Sequence, residues 1–322
     1  MILIVTNTED ITSDFVVNKL NRLGIPYYRF NTDEFGEKNG ISLDFGQNKY
    51  KILDFDKQTI IDFYNIKSVY FRRPKLPHIN FEGLTQAEHF FVANEVKYFF
   101  DGCYKLLEDK FWISQVNAIR QAEIKMYQLK IAHEIGFIIP DSLVANVPKD
   151  ASAFVERNKN DCIIKPVKSG LLDDKENPRV IYTSILSPAH IQQLERIQVC
   201  PTYFQKRQDK IADIRVTVVG KRIFSAQIDS QDYEETSIDW RKGSNTILNY
   251  KSIELPTRLN DKCTSLVERL GLKFGAIDLV LNSNGQYVFL EINPNGQWAW
   301  IERKLDYDIS GEIVRLLKEG KR

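Results

Sequence analysis

The stretch that most constrains this 322-residue chain lies near its C-terminal end. Gly275-Ala-Ile-Asp278-Leu-Val-Leu runs into Asn282-Ser-Asn-Gly285, and Gln286-Tyr-Val-Phe-Leu-Glu291-Ile-Asn293-Pro294 follows. Both runs are rich in Val, Ile, Leu, Phe and Tyr, and Asn-Gly at the end of a four-residue gap favours a hairpin that pairs 276–281 with 286–292. Side chains alternate faces along a strand. With Leu281 opposite Gln286, Asp278 lies opposite Phe289 and shares a face with Glu291 and Asn293, the two carboxylates being diagonal neighbours roughly 6–8 Å apart. The strand around Asp278 is otherwise apolar. Two buried like charges repel, and their pKa values rise unless something positive lies between them. Two carboxylates and an amide oxygen at Asp278, Glu291 and Asn293 suit Mg²⁺, which keeps waters and shares its shell with substrate phosphates. The competing reading is an ion-paired core aspartate, with Glu291 and Asn293 simply ending a strand.

Composition narrows the function classes. With 43% apolar residues the chain can bury one large core or, better, two or three packed subdomains. A net charge of +1 gives no reason to expect nucleic acid or a membrane surface as a partner. Met1-Ile-Leu-Ile-Val5 is too short for a signal-peptide core, no stretch approaches a transmembrane span, and a cytoplasmic location is expected. Cys103, Cys162, Cys200 and Cys263 lie far apart, so neither a zinc site nor a disulfide framework is expected. His78, His89, His133 and His190 form no His-Glu-x-x-His pattern, which weighs against a hydrolase.

Along the chain, an apolar strand at 2–6, a helical pattern at 12–23 and Tyr27-Tyr-Arg-Phe30 give a β-α-β start. The loop after the first strand lacks Gly-x-Gly-x-x-Gly, so a dinucleotide site is not expected there. Strands around 41–54 and 67–73 should continue this α/β layer, and a long helix should follow from about 85 to 107. Apolar residues at Ile124, Tyr127, Ile131 and Ile135 predict a helix over about 120–135, stopped by Gly136. Further strands are expected at 138–145 and 161–165 and a helix at 188–196; strands dominate after 201, apart from helices near 259–270 and 309–318. The fold class is α/β with α+β elements, divided into 1–110, 111–198 and 199–322.

Three cationic segments stand out. Lys165 ends a strand directly before Pro166 and a polar loop, 168–179, where a lysine can meet a phosphate as a point charge. In Asp213-Ile-Arg-Val-Thr-Val-Val-Gly220-Lys-Arg, Gly-Lys forms a two-residue hairpin turn and alternation puts Asp213, Arg215 and Thr217 on one face. A cross-strand ion pair is the plain reading of Asp213 and Arg215. Phe71-Arg72-Arg73-Pro74 closes a strand and can aim two cations at an acidic substrate, or simply end in solvent. Lys125, beside the apolar stripe of its helix, reads by pattern as a solvated lysine.

Phe289-Leu-Glu-Ile-Asn-Pro-Asn-Gly296 resembles the ATP-grasp superfamily. Together with Phe71-Arg-Arg-Pro74, Lys125 in Gln-Ala-Glu-Ile-Lys, Ile163-Ile-Lys-Pro166, Asp213-Ile-Arg and Asn293-Pro-Asn-Gly-Gln-Trp298, it resembles more narrowly the graspetide synthetases, the microviridin-type peptide macrocyclases. The resemblance implies an ATP-grasp fold with a Rossmann-like pre-ATP-grasp domain, a central domain and a C-terminal ATP-grasp domain. It implies ATP and Mg²⁺, with Asp278, Glu291 and Asn293 as metal ligands and Lys125 and Lys165 on the nucleotide. It places Gln205, Lys206 and Arg207 at the adenine hinge, where Lys206-Arg207 departs from the commoner acidic and aromatic pair. It puts Arg215 at an acyl phosphate, with Asp213 orienting it or near the incoming nucleophile, and leaves Arg72 and Arg73 as substrate candidates.

The activity so implied is activation of an Asp or Glu side chain of a ribosomally made precursor peptide as an acyl phosphate. A hydroxyl or amine of the same peptide then closes an ester or amide ring. The partner is that precursor, its leader segment expected on the middle domain near 188–196, and a homodimer is a common assembly in the family. The alternative is a RimK-like ligase that adds an amino acid to a peptide or protein. A non-catalytic nucleotide sensor and an oxidoreductase remain as further readings.

Overall fold

The computed structural model describes residues 1–77, 83–168, 170–172, 179–242 and 248–320. The chain separates into two compact units, one made of Met1–Ile119, Gly271–Phe274 and Gln297–Arg322, the other of Arg120–Leu270 and Gly275–Gly296. The sequence-drawn boundary at 198 has no counterpart in this division. Residues 297–322, expected with 199–296, belong with the first unit.

In the first unit, β1 (Ile2–Thr6), α1 (Ile11–Arg22) and β2 (Tyr27–Asn31) make the expected β-α-β start. With β6 (Ser68–Phe71) and β7 (Phe111–Ile113) they complete a parallel sheet of order β2-β1-β6-β7. Every residue of β1 is buried, as in a parallel strand covered on both faces. The segment between does not continue this layer. Instead β3 (Asn39–Asp44), β4 (Lys49–Asp54) and β5 (Thr59–Asp62) form their own antiparallel sheet. The reason is connection length: each gap is a tight turn, and a parallel neighbour would need a crossover of about a dozen residues or more.

Helix α2 (Gln86–Leu106) starts at Thr85, which forms a reciprocal capping box with Glu88. At the other end of the chain, α8 (Ala299–Leu305) and α9 (Ile309–Glu319) complete the unit, and the Leu317 carbonyl accepts from Ser68 Oγ at 2.7 Å. Trp298 is wholly buried, its indole N–H 3.4 Å from the Tyr70 hydroxyl, which makes it a packing residue of this unit.

The helix expected over 120–135 is two helices, α3 (Val116–Ala122) and α4 (Lys125–Ile135). Ile124 is extended (φ −77°, ψ 101°) and acts as the N-cap, which makes Lys125 the first residue of α4; Gly136 ends it at φ +87°. In the second unit, β8 (Ser142–Ala145), β9 (Cys162–Lys165), β12 (Ser184–Ile185) and β13 (Thr202–Lys206) form an antiparallel sheet of order β12-β9-β13-β8. Phe154 of α5 (Pro148–Arg157) packs with Cys162, Leu186 and Phe204 in its core. The two-residue strands β10 (Leu171–Leu172) and β11 (Arg179–Val180) pair with each other. The expected helix at 188–196 is one α-turn, α6 (Pro188–Ile191), followed by a 3₁₀ segment at Leu194–Val199.

A second sheet carries β14 (Lys210–Val219), β15 (Arg222–Ile228), β16 (Tyr250–Ser252), β17 (Phe274–Asn282) and β18 (Tyr287–Asn293) in the order β16-β15-β14-β17-β18, with α7 (Thr257–Arg269) in the same unit. The hairpin at Gly220-Lys221 forms as expected, Gly220 taking φ +59° and Val219 facing Arg222. The β17–β18 register differs from the sequence reading. Leu281 faces Tyr287, one residue further on than expected, because Asn282 Oδ1 accepts the backbone N–H groups of Asn284 and Gln286 and closes a loop one residue longer. A bulge between Asp278 and Leu279 then shifts the ladder, so Asp278 faces Glu291 directly and not Phe289.

Candidate active site

The site lies within the second unit, around a cavity of about 500 Å³ whose walls include Lys125, Lys165, Asp213, Asp278, Glu291 and Asn293. Its floor is the bulged hairpin. Asp278 and Glu291 are cross-strand neighbours, and Asn293 Nδ2 donates to Asp278 Oδ2 at 3.1 Å. From β14, Arg215 Nε lies 2.8 Å from Asp278 Oδ1, and its guanidinium is 5.4 Å from the centre of the Trp240 ring. Asp213, two residues earlier, is engaged by Lys210 at 2.6 Å. Asp213 and Arg215 thus share a face but take different partners.

The two lysines arrive from different elements. Lys125, at the start of α4, is 3.5 Å from Glu291 Oε2 and 3.3 Å from the Pro166 carbonyl. It is no solvated lysine of a helix face, because the break at Ile124 turns it to the head of a helix. Lys165 donates to Gln205 Oε1 at 2.7 Å, and Gln205 Nε2 donates to the Tyr203 hydroxyl at 2.8 Å and to Ser142 Oγ at 3.0 Å. Gln205 is fully buried and lines the cavity, its side chain holding Lys165 there. Lys206, next along β13, points away from Gln205 by strand alternation and is exposed. Arg207 lines the cavity while pairing with Asp161 at 2.6 Å.

Arg72 and Arg73 belong to the first unit. Arg72 is 1% exposed in the first unit, 3.5 Å from Asp10 and donating to Gln297 Oε1 at 2.7 Å, so it is not the displayed cation expected from the sequence. Arg73 is exposed, with a backbone φ of +45°. Of the polar loop at 168–179, residues 169 and 173–178 lie outside the described residues.

The sequence reading missed Asp239, Trp240 and Arg241. Arg241 grips Asp239 with two hydrogen bonds, at 2.8 and 2.7 Å, and reaches to 3.7 Å from Glu291 Oε1. The only signal was an Asp-x-Arg spacing like that of Asp213 and Arg215. It sits beside a 3₁₀ turn (Trp240–Lys242), where neither helical nor strand period can place a side chain.

Burial and charge set the protonation of these groups. Burial pushes the Asp278 carboxyl up to about 6, helped by the negative charge of Glu291 and restrained by Arg215. Burial works against Glu291 too, but Lys125, Arg241 and Lys165 together hold it below the usual carboxylate value. Burial lowers Lys165 to about 8, with Lys125 adding to the effect and Glu291 opposing it.

The donor chemistry fits a hard divalent cation. Asp278 and Glu291 offer carboxylate oxygens directly across a strand pair, and the Asn293 amide shares their face. Among the described residues no group of three or more His, Cys, Asp or Glu is gathered as a metal site. A set of two carboxylates and an amide completed by water and phosphate is the usual way of holding Mg²⁺.

The parallel first sheet, the two larger sheets of the second unit and the lysine-flanked acidic hairpin define an ATP-grasp ligase. The chain belongs to the RimK-like ATP-grasp family, whose domain model matches residues 121–317, and residues 1–120 match the MvdD pre-ATP grasp domain. It is similar to the solved macrocyclase MdnC of Microcystis aeruginosa MRC, bound with precursor peptide MdnA, at 26% identity over 99% of both chains and a TM-score of 0.88. It is similar also to a RiPP-associated ATP-grasp ligase of Chryseobacterium gregarium in complex with ADP and a leader and core peptide. There the identity is 28%, over 100% of this chain and 97% of that one, with a TM-score of 0.91. The macrocyclase MdnB of Microcystis aeruginosa MRC matches at 28% identity over 98% of both chains, with a TM-score of 0.81. No curated protein matches the chain. Among the described residues no helix is long and apolar enough to cross a membrane.

Proposed function

We propose that this ATP-grasp ligase is a peptide macrocyclase that joins side chains of a ribosomally made precursor, using ATP and forming ADP and phosphate. The observation that carries this reading is the meeting of Asp278, Glu291, Lys125 and Lys165 around one cavity, with Arg215 held against Asp278, in a chain similar over nearly its whole length to ligases solved with precursor peptides.

In this reading Lys125 and Lys165 hold the ATP phosphates as point charges, while Asp278, Glu291 and Asn293 are the residues that would hold Mg²⁺. The metal, when bound, neutralises phosphate charge. A carboxylate of the peptide attacks the γ-phosphorus in line; the bond to the ADP oxygen breaks, giving ADP and an acyl phosphate. Arg215, fixed between Asp278 and Trp240, stabilises charge on the transferred group. A hydroxyl or amine of the same peptide then attacks the acyl carbon, phosphate leaves with its electron pair, and the nucleophile's proton is lost. Asp213, whose carboxyl is pushed upward by burial, lines the cavity as a candidate proton acceptor. Lys210, 2.6 Å away, restrains that upward shift. The backbone around Gln205 and Arg207 offers the adenine hinge, Arg73 is the remaining first-unit candidate for substrate, and a cytoplasmic setting and a homodimer complete the proposal.

Lys165 gives a pH test of the phosphate role. Only its protonated form holds phosphate, and with its pKa lowered to about 8 the free enzyme loses that charge as pH rises through 8. The value of kcat/KM for ATP should therefore fall between pH 7.5 and about 9.5, and Lys165→Arg, always charged, should flatten that limb. A profile with the same limb in both proteins removes Lys165 from phosphate binding.

The reaction is tested by intact-mass spectrometry of an acidic, Thr/Ser/Lys-bearing peptide encoded beside the gene, incubated with protein, ATP and Mg²⁺. Loss of one water per ring, dependent on ATP, is expected. A gain of one amino acid in mass would instead establish the RimK-like intermolecular ligation.

A further inference from the structure

Gln128 lies one turn after Lys125 on α4 and is 3% exposed. Its side chain clamps the backbone of a strand in the same unit. Nε2 donates to the Ile292 carbonyl at 2.9 Å and to the Ala122 carbonyl at 2.5 Å, while Oε1 accepts the Ile292 N–H at 3.0 Å. Both backbone polar groups of Ile292 are thereby satisfied by one side chain. Ile292 is the residue between Glu291 and Asn293, on β18, the outermost strand of its sheet. An edge strand has a free row of N–H and C=O groups that drifts unless something pairs with it.

The third bond ties the same amide to Ala122, the last residue of α3, across the break at Ile124 that puts Lys125 at the head of α4. One glutamine therefore holds two things at once. It fixes the backbone that presents Glu291 and Asn293, and it fixes the helix start from which Lys125 comes within 3.5 Å of Glu291. A leucine or methionine would fill the same buried volume. What the amide adds is direction: it can be satisfied only with the helix turn and the strand in this one register.

We infer that Gln128 is a positioning residue of the nucleotide site, coupling Lys125 to the Glu291–Asn293 strand; this rests on the nucleotide reading proposed above. It acts through Lys125 and Glu291 and touches no reacting atom. Its removal should loosen magnesium-dependent nucleotide binding by about 10–100-fold, the range for partners that orient metal ligands. The fold should survive, because the helix and strand keep their apolar contacts.

The test measures ADP binding to the full chain by calorimetry across a range of Mg²⁺ concentrations, with thermal unfolding alongside. The proteins are the unaltered chain, Gln128→Met, Lys125→Met and the double variant. Gln128→Met is expected to weaken Mg²⁺-dependent ADP binding, and the double variant to cost little more than Lys125→Met alone, since residues acting as one unit are not additive. Gln128→Glu keeps the shape but sets an acceptor oxygen against the Ala122 and Ile292 carbonyls, so it should bind no better than Gln128→Met. Equal binding by Gln128→Met and the unaltered protein, or losses that add in full, would overturn the inference alone. An unaltered protein that binds no ADP with Mg²⁺ would overturn the nucleotide reading and this inference with it.

Discussion

Glu291→Gln is expected to abolish ATP-dependent product formation, lowering kcat by roughly a thousandfold or about 4 kcal/mol of barrier. The substitution keeps the size and shape of the side chain and removes one charge. That charge is the common partner of Lys125 at 3.5 Å and Arg241 at 3.7 Å, and with Lys165 these cations hold Glu291 below the usual carboxylate value. Without it three cations crowd a cavity that must admit a polyanion in one orientation, and one oxygen of the proposed Mg²⁺ set loses its charge. Phosphates would still enter such a cavity, but in the wrong register. ADP affinity should therefore fall far less than turnover, and the Mg²⁺ dependence of that affinity should weaken. The fold should hold, with a stability change inside the common single-substitution range of about 0.5–3 kcal/mol in urea unfolding, because relief of repulsion with Asp278 offsets the lost ion pairs. Turnover within tenfold of the unaltered enzyme would take Glu291 out of the mechanism.

The legibility of this site in the sequence followed regularity. Asp278, Glu291 and Asn293 could be placed on one face because strands have a period of two, and that survived a wrong register: the longer loop and the bulge after Asp278, one residue each, moved the pair from diagonal to directly opposite but left them together. The hairpin at Gly220 was legible for the same reason, since a two-residue turn with a glycine at positive φ leaves little freedom. What could not be read was anything set by a side chain bonding to backbone far along the chain. The clamp from Gln128 to Ile292 spans 164 positions, and a buried glutamine in a helix looks like any other polar residue before the partner is known. The place of Gln205 beside the cavity was legible, but its bond to Lys165 was not. The Asp239–Arg241 fork was lost because 3₁₀ segments carry no usable period. In the first unit, Arg72 was taken for a displayed cation because strand-end position says nothing of burial; its partner Gln297 returns from the far end of the chain.

The second large effect is expected from Arg215→Ala, which should remove product formation by about 10²–10³-fold, the scale for losing one group aimed at developing charge. The guanidinium is held on two sides, by the Asp278 carboxylate at 2.8 Å and by the face of Trp240, so its position is fixed before any ligand arrives. Only such prior fixing makes a cation more useful to a transition state than a mobile lysine would be. A second consequence follows from Asp278, whose carboxyl burial already pushes up to about 6 against the restraint of Arg215. With Arg215 gone that restraint disappears and the carboxyl titrates higher still, so the variant's deficit relative to the unaltered enzyme should shrink as pH rises. The sign separates two roles: loss of transition-state charge alone gives a pH-independent deficit, whereas loss of the ionised Asp278 gives one that shrinks toward alkaline pH. Arg215→Lys restores the charge without the planar fork, and should recover the Asp278 titration more fully than the rate. Measuring ring formation by mass spectrometry from pH 6 to 9 for both variants decides it, and full turnover by Arg215→Ala would remove this residue from the chemistry.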